Sequence, residues 1–137
     1  MAARGQRYWK KRCDALWTKL VKHNGVCELC GKRPTARGLH AHHLIGRTNL
    51  RYRHDVYNGI ALCASCHVFS DECSAHASTK SAAAFLEALE AQWPARYVWL
   101  MEHRHDKRTY TVDYEQVYQD LMEMDVPVWG ESPERRA

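Results

Sequence analysis

Cys27-Glu-Leu-Cys30 and Cys63-Ala-Ser-Cys66-His67, with His40-Ala-His42-His43 and Asn58 lying between them, are the stretch that decides how this chain folds. Zn²⁺ takes four soft ligands at tetrahedral corners, and a CxxC supplies two of them from one tight turn. Two such pairs therefore read as one four-thiolate zinc site formed by Cys27, Cys30, Cys63 and Cys66. Gly31 permits the tight backbone of the first knuckle, and Lys32 and Arg33 offset the charge that four thiolates leave on a dication. A zinc site that is only structural has no use for the polar residues it brackets: a His-His pair, an Asn, and a His directly after the last cysteine.

Outward from this stretch, the bounds are simple. At 137 residues the chain suffices for one domain with a real core. We expect a single unit over 1–137, with a zinc-bound core at 27–74, a basic helix within 1–26 and helical support over 78–137. No apolar run is long enough to span a membrane and the N-terminus lacks the apolar segment of a signal peptide, so the expected location is cytoplasmic, in a bacterial host cell. Six cysteines also suit a secreted disulfide framework, but two CxxC pairs favour metal, leaving Cys13 and Cys73 as buried free thiols. The net charge is +4, unevenly spread: residues 1–56 hold thirteen Lys and Arg against three Asp and Glu, and the remainder holds seven against thirteen. The basic half is the half with the motif, which points to a polyanionic partner.

In chain order, residues 6–22 read as a helix with Tyr8, Trp9, Cys13, Leu16, Trp17, Leu20 and Val21 on its apolar stripe, stopped by Asn24-Gly25. Its other face carries Arg7, Lys10, Lys11, Lys19 and Lys22. Leu39–Ile45 reads as a strand whose alternation sends His40 and His42 to one face and Ala41 and His43 to the other. After a polar loop with Arg47, Arg51, Arg53 and His54, Ile60-Ala-Leu62 returns as the second strand of a hairpin. A helix from about Ala64 to Ser74 would put Asp71 one turn after His67 on the same face. Ser78 or Thr79 caps a helix to about Gln92, Pro94 starts another with Tyr97, Val98, Leu100 and Met101, and Asp113 opens a last one with Val117, Tyr118, Leu121 and Met122 inward. Residues 126–129 read as extended and 130–137 as a fraying tail. The class is α+β, mainly helical.

The order His, Asn, His within strand, loop, strand and helix resembles the HNH endonuclease family, whose fold is the ββα-metal motif, of the four-cysteine kind often encoded by bacteriophages. The resemblance covers roughly Cys27 to Ser74. It implies that His42 and His67 hold a catalytic divalent ion, with Asp71 as a further ligand, that His43 is the general base for water, and that Asn58 orients the strand bearing the base. It also implies a phosphate-contacting Arg, for which Arg47 is the first candidate, with Arg51 and Arg53 behind it. Two imidazoles and a carboxylate suit Mn²⁺, Ni²⁺, Co²⁺ or Zn²⁺ more than Mg²⁺.

The function so implied is metal-dependent hydrolysis of DNA phosphodiesters, by nicking or double-strand cleavage, with the ion stabilising the phosphorane and the leaving oxygen. Arg47, Arg51, Arg53, Lys10, Lys11 and Lys19 are the candidate DNA contacts. Expected partners are DNA and phage or restriction machinery, with no membrane, and the chain acting as a monomer or weak dimer. The alternative is a catalytically silent zinc-finger DNA-binding module, against which His43 argues, because binding alone needs no imidazole there. His40 reads as an ordinary partly exposed histidine and His76 as surface scatter.

Overall fold

The computed structural model describes residues 3–124, so the segments expected over 126–129 and 130–137 lie outside the described residues. The elements run α1 (Gln6–Val21), β1 (Leu39–His43), β2 (Gly59–Cys63), a π-helical turn (Ser65–Phe69), α2 (Thr79–Gln92), α3 (Pro94–His103) and α4 (Tyr114–Glu123). The fold is mainly helical around one two-stranded antiparallel sheet, with the four cysteines gathered at its end. Among the described residues no helix is long and apolar enough to cross a membrane.

Residues four apart along α1, Cys13, Trp17 and Val21, are its buried stripe. They meet the hairpin where β2 begins. The pairing sets His42 opposite Ile60 and His43 opposite Gly59, and α1 lies directly over Gly59. A Cβ at that position would strike the Val21 and Trp17 side chains, so the glycine is needed for close approach. Beyond α1 the chain turns through Gly25, whose φ of 66° suits a residue without a Cβ.

Two expected boundaries move, for reasons of hydrogen bonding. The first strand stops at His43 and not at Ile45: Leu44 still donates to the Asn58 carbonyl at 2.9 Å, but Ile45 N–H turns to the Asn58 side chain at 2.6 Å. The helix expected over 64–74 is only the π-helical turn. Ser70 N–H closes it on the Ser65 carbonyl at 2.9 Å, and Ala75 and His76 N–H then take the Cys66 and His67 carbonyls at 3.0 and 2.9 Å. The chain doubles back here.

The C-terminal helices are pinned to the first knuckle through Glu28, the residue following Cys27. Its carboxylate accepts from Arg96 of α3 at 2.6 Å and from the Ala61 N–H of β2 at 3.0 Å, while its carbonyl accepts from the Trp93 indole at 2.6 Å. Both charges are buried, and such a pair is tolerable because the carboxylate is so fully hydrogen-bonded. Ser78 caps α2 in a reciprocal box with Ser81, which turns Phe85 and Leu89 inward. In α4, Asp113 caps the start and Tyr114 and Leu121 pack on α1, where Cys13 Sγ lies 3.2 Å from the Tyr114 carbonyl. Met122, expected inward, is exposed, as is Val98, whereas Leu100 and Leu121 are buried as their places on the two helices suggest.

Candidate active site

The four cysteines meet because each knuckle flanks the hairpin. Cys63 ends β2, Cys66 lies in the π-helical turn, and Glu28 N–H donates to the Ala61 carbonyl at 2.8 Å, which docks the first knuckle on β2. All four sulfurs lie within 4.8 Å of one another. Cys30 and Cys63 Sγ are 3.7 Å apart, too far for a disulfide and close to the edge of about 3.8 Å of a tetrahedron with zinc–sulfur bonds of about 2.3 Å. Without a cation the cluster resists full ionisation. The Cys66 thiol is pushed up by its hydrogen bond to Cys27 and by burial, Cys30 is pushed up by burial first, and Cys27 is drawn down to about 4, chiefly by that same Cys66 hydrogen bond. A dication removes the conflict, because it favours all four thiolates. The donor set and its spacing fit a zinc-type site.

On one face of β1, His40 and His42 approach the π-helical turn. His42 lies with its ring centroid 5.1 Å from that of His67 and 4.8 Å from that of His76, and His67 and His76 are 4.9 Å apart. Candidate ligand nitrogens of these three fall within 4.8 Å of one another. Asp71 is not in the cluster. It lies beyond the end of the π-helical turn and is exposed, so the face-sharing expected from a longer helix does not arise. His76 stands in that place because residues 75 and 76 hydrogen-bond back to 66 and 67. Burial, followed by the neighbouring imidazoles, lowers His42 to about 3 and His67 to about 4, so both are neutral near pH 7 and have a lone pair to offer. His40 is partly exposed, as expected, and brings its Nδ1 within 2.8 Å of the His67 Nδ1.

His43 leaves β1 on the opposite face, towards α1. The Trp17 indole stacks on it with centroids 3.9 Å apart and planes 9° from parallel. Its Nε2 lies 3.0 Å from the Arg53 carbonyl. A carbonyl can only accept, so Nε2 carries the proton and Nδ1 of the neutral ring keeps its lone pair. Burial lowers the His43 pKa, against the carbonyl hydrogen bond that raises it.

Asn58 is completely buried and clamps the loop that supplies that carbonyl. Its Nδ2 donates to the carbonyls of Ile45 at 2.9 Å and Tyr52 at 3.1 Å, and its Oδ1 accepts from Ile45 N–H at 2.6 Å. The other end of the loop is held from α1. Asp14 accepts two hydrogen bonds from the Arg53 guanidinium, both 2.9 Å, and contacts His54 Nε2 at 2.6 Å. Although burial works to raise it, those two partners hold the Asp14 carboxyl below its ordinary value. Trp17 Nε1 donates to the Asp55 carbonyl at 2.9 Å.

The remaining basic candidates divide clearly. Arg53 is committed to Asp14 and is not available to a phosphate in this arrangement. Arg51 is exposed with its Nε 3.4 Å from Asp106. Arg47, Lys11 and Lys19 are exposed, and Lys10 lies with its ammonium 5.7 Å from the Tyr114 ring centroid. Asp14 carries no local signal in the sequence, while Trp17 read only as part of the apolar stripe of α1 and His76 as surface scatter.

No curated protein and no solved structure is significantly similar to the chain. Residues 27–69, which span both cysteine pairs, His42, His43, Asn58 and His67, match the family model described as HNH endonuclease.

Proposed function

We propose that the protein is a metal-dependent endonuclease that hydrolyses DNA phosphodiester bonds, with His43 as general base. The observation that carries this reading is the state of His43. Its Nε2 is tied to a backbone carbonyl, its ring is fixed by Trp17, and its pKa is lowered by burial, so Nδ1 is a pre-aimed proton acceptor at neutral pH. An imidazole needed only for packing has no reason to hold this arrangement one residue away from a cluster of three histidines.

His42, His67 and His76 are the residues that would hold the ion, and His67 would do so through Nε2, since its Nδ1 faces His40. A divalent cation bound there would neutralise charge on the phosphate and stabilise the leaving oxygen. Cys27, Cys30, Cys63 and Cys66 would hold a separate structural Zn²⁺. His42 and His43 are consecutive at the end of β1 and leave it on opposite sides, so a phosphate laid across the strand's end would meet ligand and base together. Arg47, exposed four residues on, is the cation we assign to that phosphate, with Lys11 and Lys19 as outlying contacts. Asn58 and Asp14 act on the base only through the Arg53 loop.

Incubating a supercoiled plasmid with the protein and Mn²⁺, Ni²⁺ or Mg²⁺, beside a chelator control, tests this. Conversion to nicked or linear DNA that chelator abolishes is the expected result. Intact plasmid with every ion would mean a silent binding module.

A further inference from the structure

Dividing the charge by sequence halves hides a second basic feature. The loop after β1 and the connection between α3 and α4 are tied together at Asp106: Asn49 Nδ2 donates to its carbonyl at 2.7 Å, Tyr52 Oη donates to its carboxylate at 2.9 Å, and Arg51 lies 3.4 Å from it. Two adjacent hollows of about 350 and 340 Å³ open along this seam and share Thr48, Asn49 and Lys107. One extends to Arg108 and Tyr110, the other past Arg104 to Leu44, the residue next to His43. Among the described residues no carboxylate lines either hollow.

The charges are unequal in availability. Arg108 is spent on Asp106, which it binds through two nitrogens at 2.9 and 2.7 Å. Arg104 is exposed and, among the described residues, its guanidinium has only the Met101 sulfur, at 3.4 Å, as a hydrogen-bond partner, and Lys107 is exposed. Exposed Thr48 adds a hydroxyl to the lining, and Asn49, one N–H of which is given to the Asp106 carbonyl, adds an amide; such groups bind phosphate oxygens without adding charge. Exposed Tyr110 forms one wall, with the Arg51 guanidinium 5.4 Å from its ring centroid.

We propose that this groove carries the backbone of duplex DNA away from His43, with Arg104 and Lys107 as its phosphate contacts. The proposal rests on the nuclease reading for its choice of polyanion, and it moves the main electrostatic track from the N-terminal half to a seam built by both halves. A free cationic groove that reaches the residue following His43, with neutral polar groups and no acid in its lining, suits a chain of phosphates.

The test uses the full chain in a His43→Ala background with a fluorescein-labelled DNA duplex, binding being measured from 50 to 200 mM salt. Each phosphate contact contributes about 0.9 to the slope of log affinity against log salt, so Arg104→Ala with Lys107→Ala should lower that slope by about two units. Lys107→Glu should weaken binding further than Lys107→Ala. Lys80→Ala, at the exposed start of α2, should leave the slope unchanged, and zinc content should match the parent in every variant. An unaltered slope in the Arg104/Lys107 double variant overturns the groove, as does absence of duplex binding by the parent. Plasmid nicking by the unsubstituted protein is scored separately. A lowered slope without nicking keeps the groove and rejects the nuclease, whereas nicking with an unaltered slope does the reverse.

Discussion

Replacing Asn58 by Ala should cost the fold about 3–5 kcal/mol, because it removes three buried hydrogen bonds. Asn58 has no exposed surface, and its amide satisfies Ile45 N–H, the Ile45 carbonyl and the Tyr52 carbonyl. Truncation leaves three backbone groups unpaired, each worth about 1–3 kcal/mol when buried, with partial recovery if water enters the space. Against a total of about 5–15 kcal/mol for an ordinary domain, that is a large fraction. Asn58→Asp sharpens the test. It is nearly isosteric and keeps the acceptor for Ile45 N–H, but at neutral pH it sets a carboxylate oxygen against two carbonyls, so it should be at least as harmful as Ala. The assay is urea unfolding followed by tryptophan fluorescence, at fixed free zinc so that metal binding does not confound the midpoint. Trp17, stacked on His43, reports the region concerned. A loss below about 1 kcal/mol in both variants would refute the clamp, and an Asp variant more stable than Ala would show that the site tolerates a carboxylate.

Cys63→Ser should abolish zinc binding and with it most helical circular dichroism, because structural zinc contributes on the order of 10 kcal/mol to folding; a cooperative, fully helical Cys63→Ser protein without zinc would contradict the four-cysteine site. His76→Ala should weaken Co²⁺ binding at the histidine cluster by at least tenfold with one zinc retained, whereas Asp71→Ala should change it less than about twofold, as followed by Co²⁺ titration with zinc counted alongside. The opposite ranking would restore Asp71 as the ligand. Asp14→Asn should lower kcat about tenfold with KM nearly unchanged, since it loosens the Arg53 loop that holds His43, and should have no added effect in a His43→Ala background. An equal loss in both backgrounds would mean that Asp14 acts through the fold alone.

What could be read from the sequence was what local chemistry or strict periodicity determines. Two CxxC turns announce a four-sulfur cluster wherever the chain goes, and alternation along Leu39–His43 separates His42 from His43 without knowledge of the partner strand. Asn58 was legible through its place in the motif, although its three partners were not. His76 was invisible because its position depends on a backbone reversal: a π-helical turn that ends at Phe69 and frees the Cys66 and His67 carbonyls for residues 75 and 76. Helical spacing from His67 pointed to Asp71 for the same reason. Arg53 looked like any loop arginine, since the partner that immobilises it, Asp14, lies on another element. Glu28 looked like a spacer between cysteines, yet it joins β2 to α3 through Ala61 and Arg96. Both are tertiary pairings of charges, for which a sequence offers no period.

The central claim is that His43 activates water while contributing little to binding or folding, and single-turnover nicking of supercoiled plasmid by His43→Ala tests it most directly. With enzyme in excess and the ion saturating, the rate should fall about 10²- to 10⁴-fold, the loss expected on removing a general base. Duplex affinity and zinc content should stay at the parental level. A His43→Ala protein that nicks at the parental rate would contradict the account.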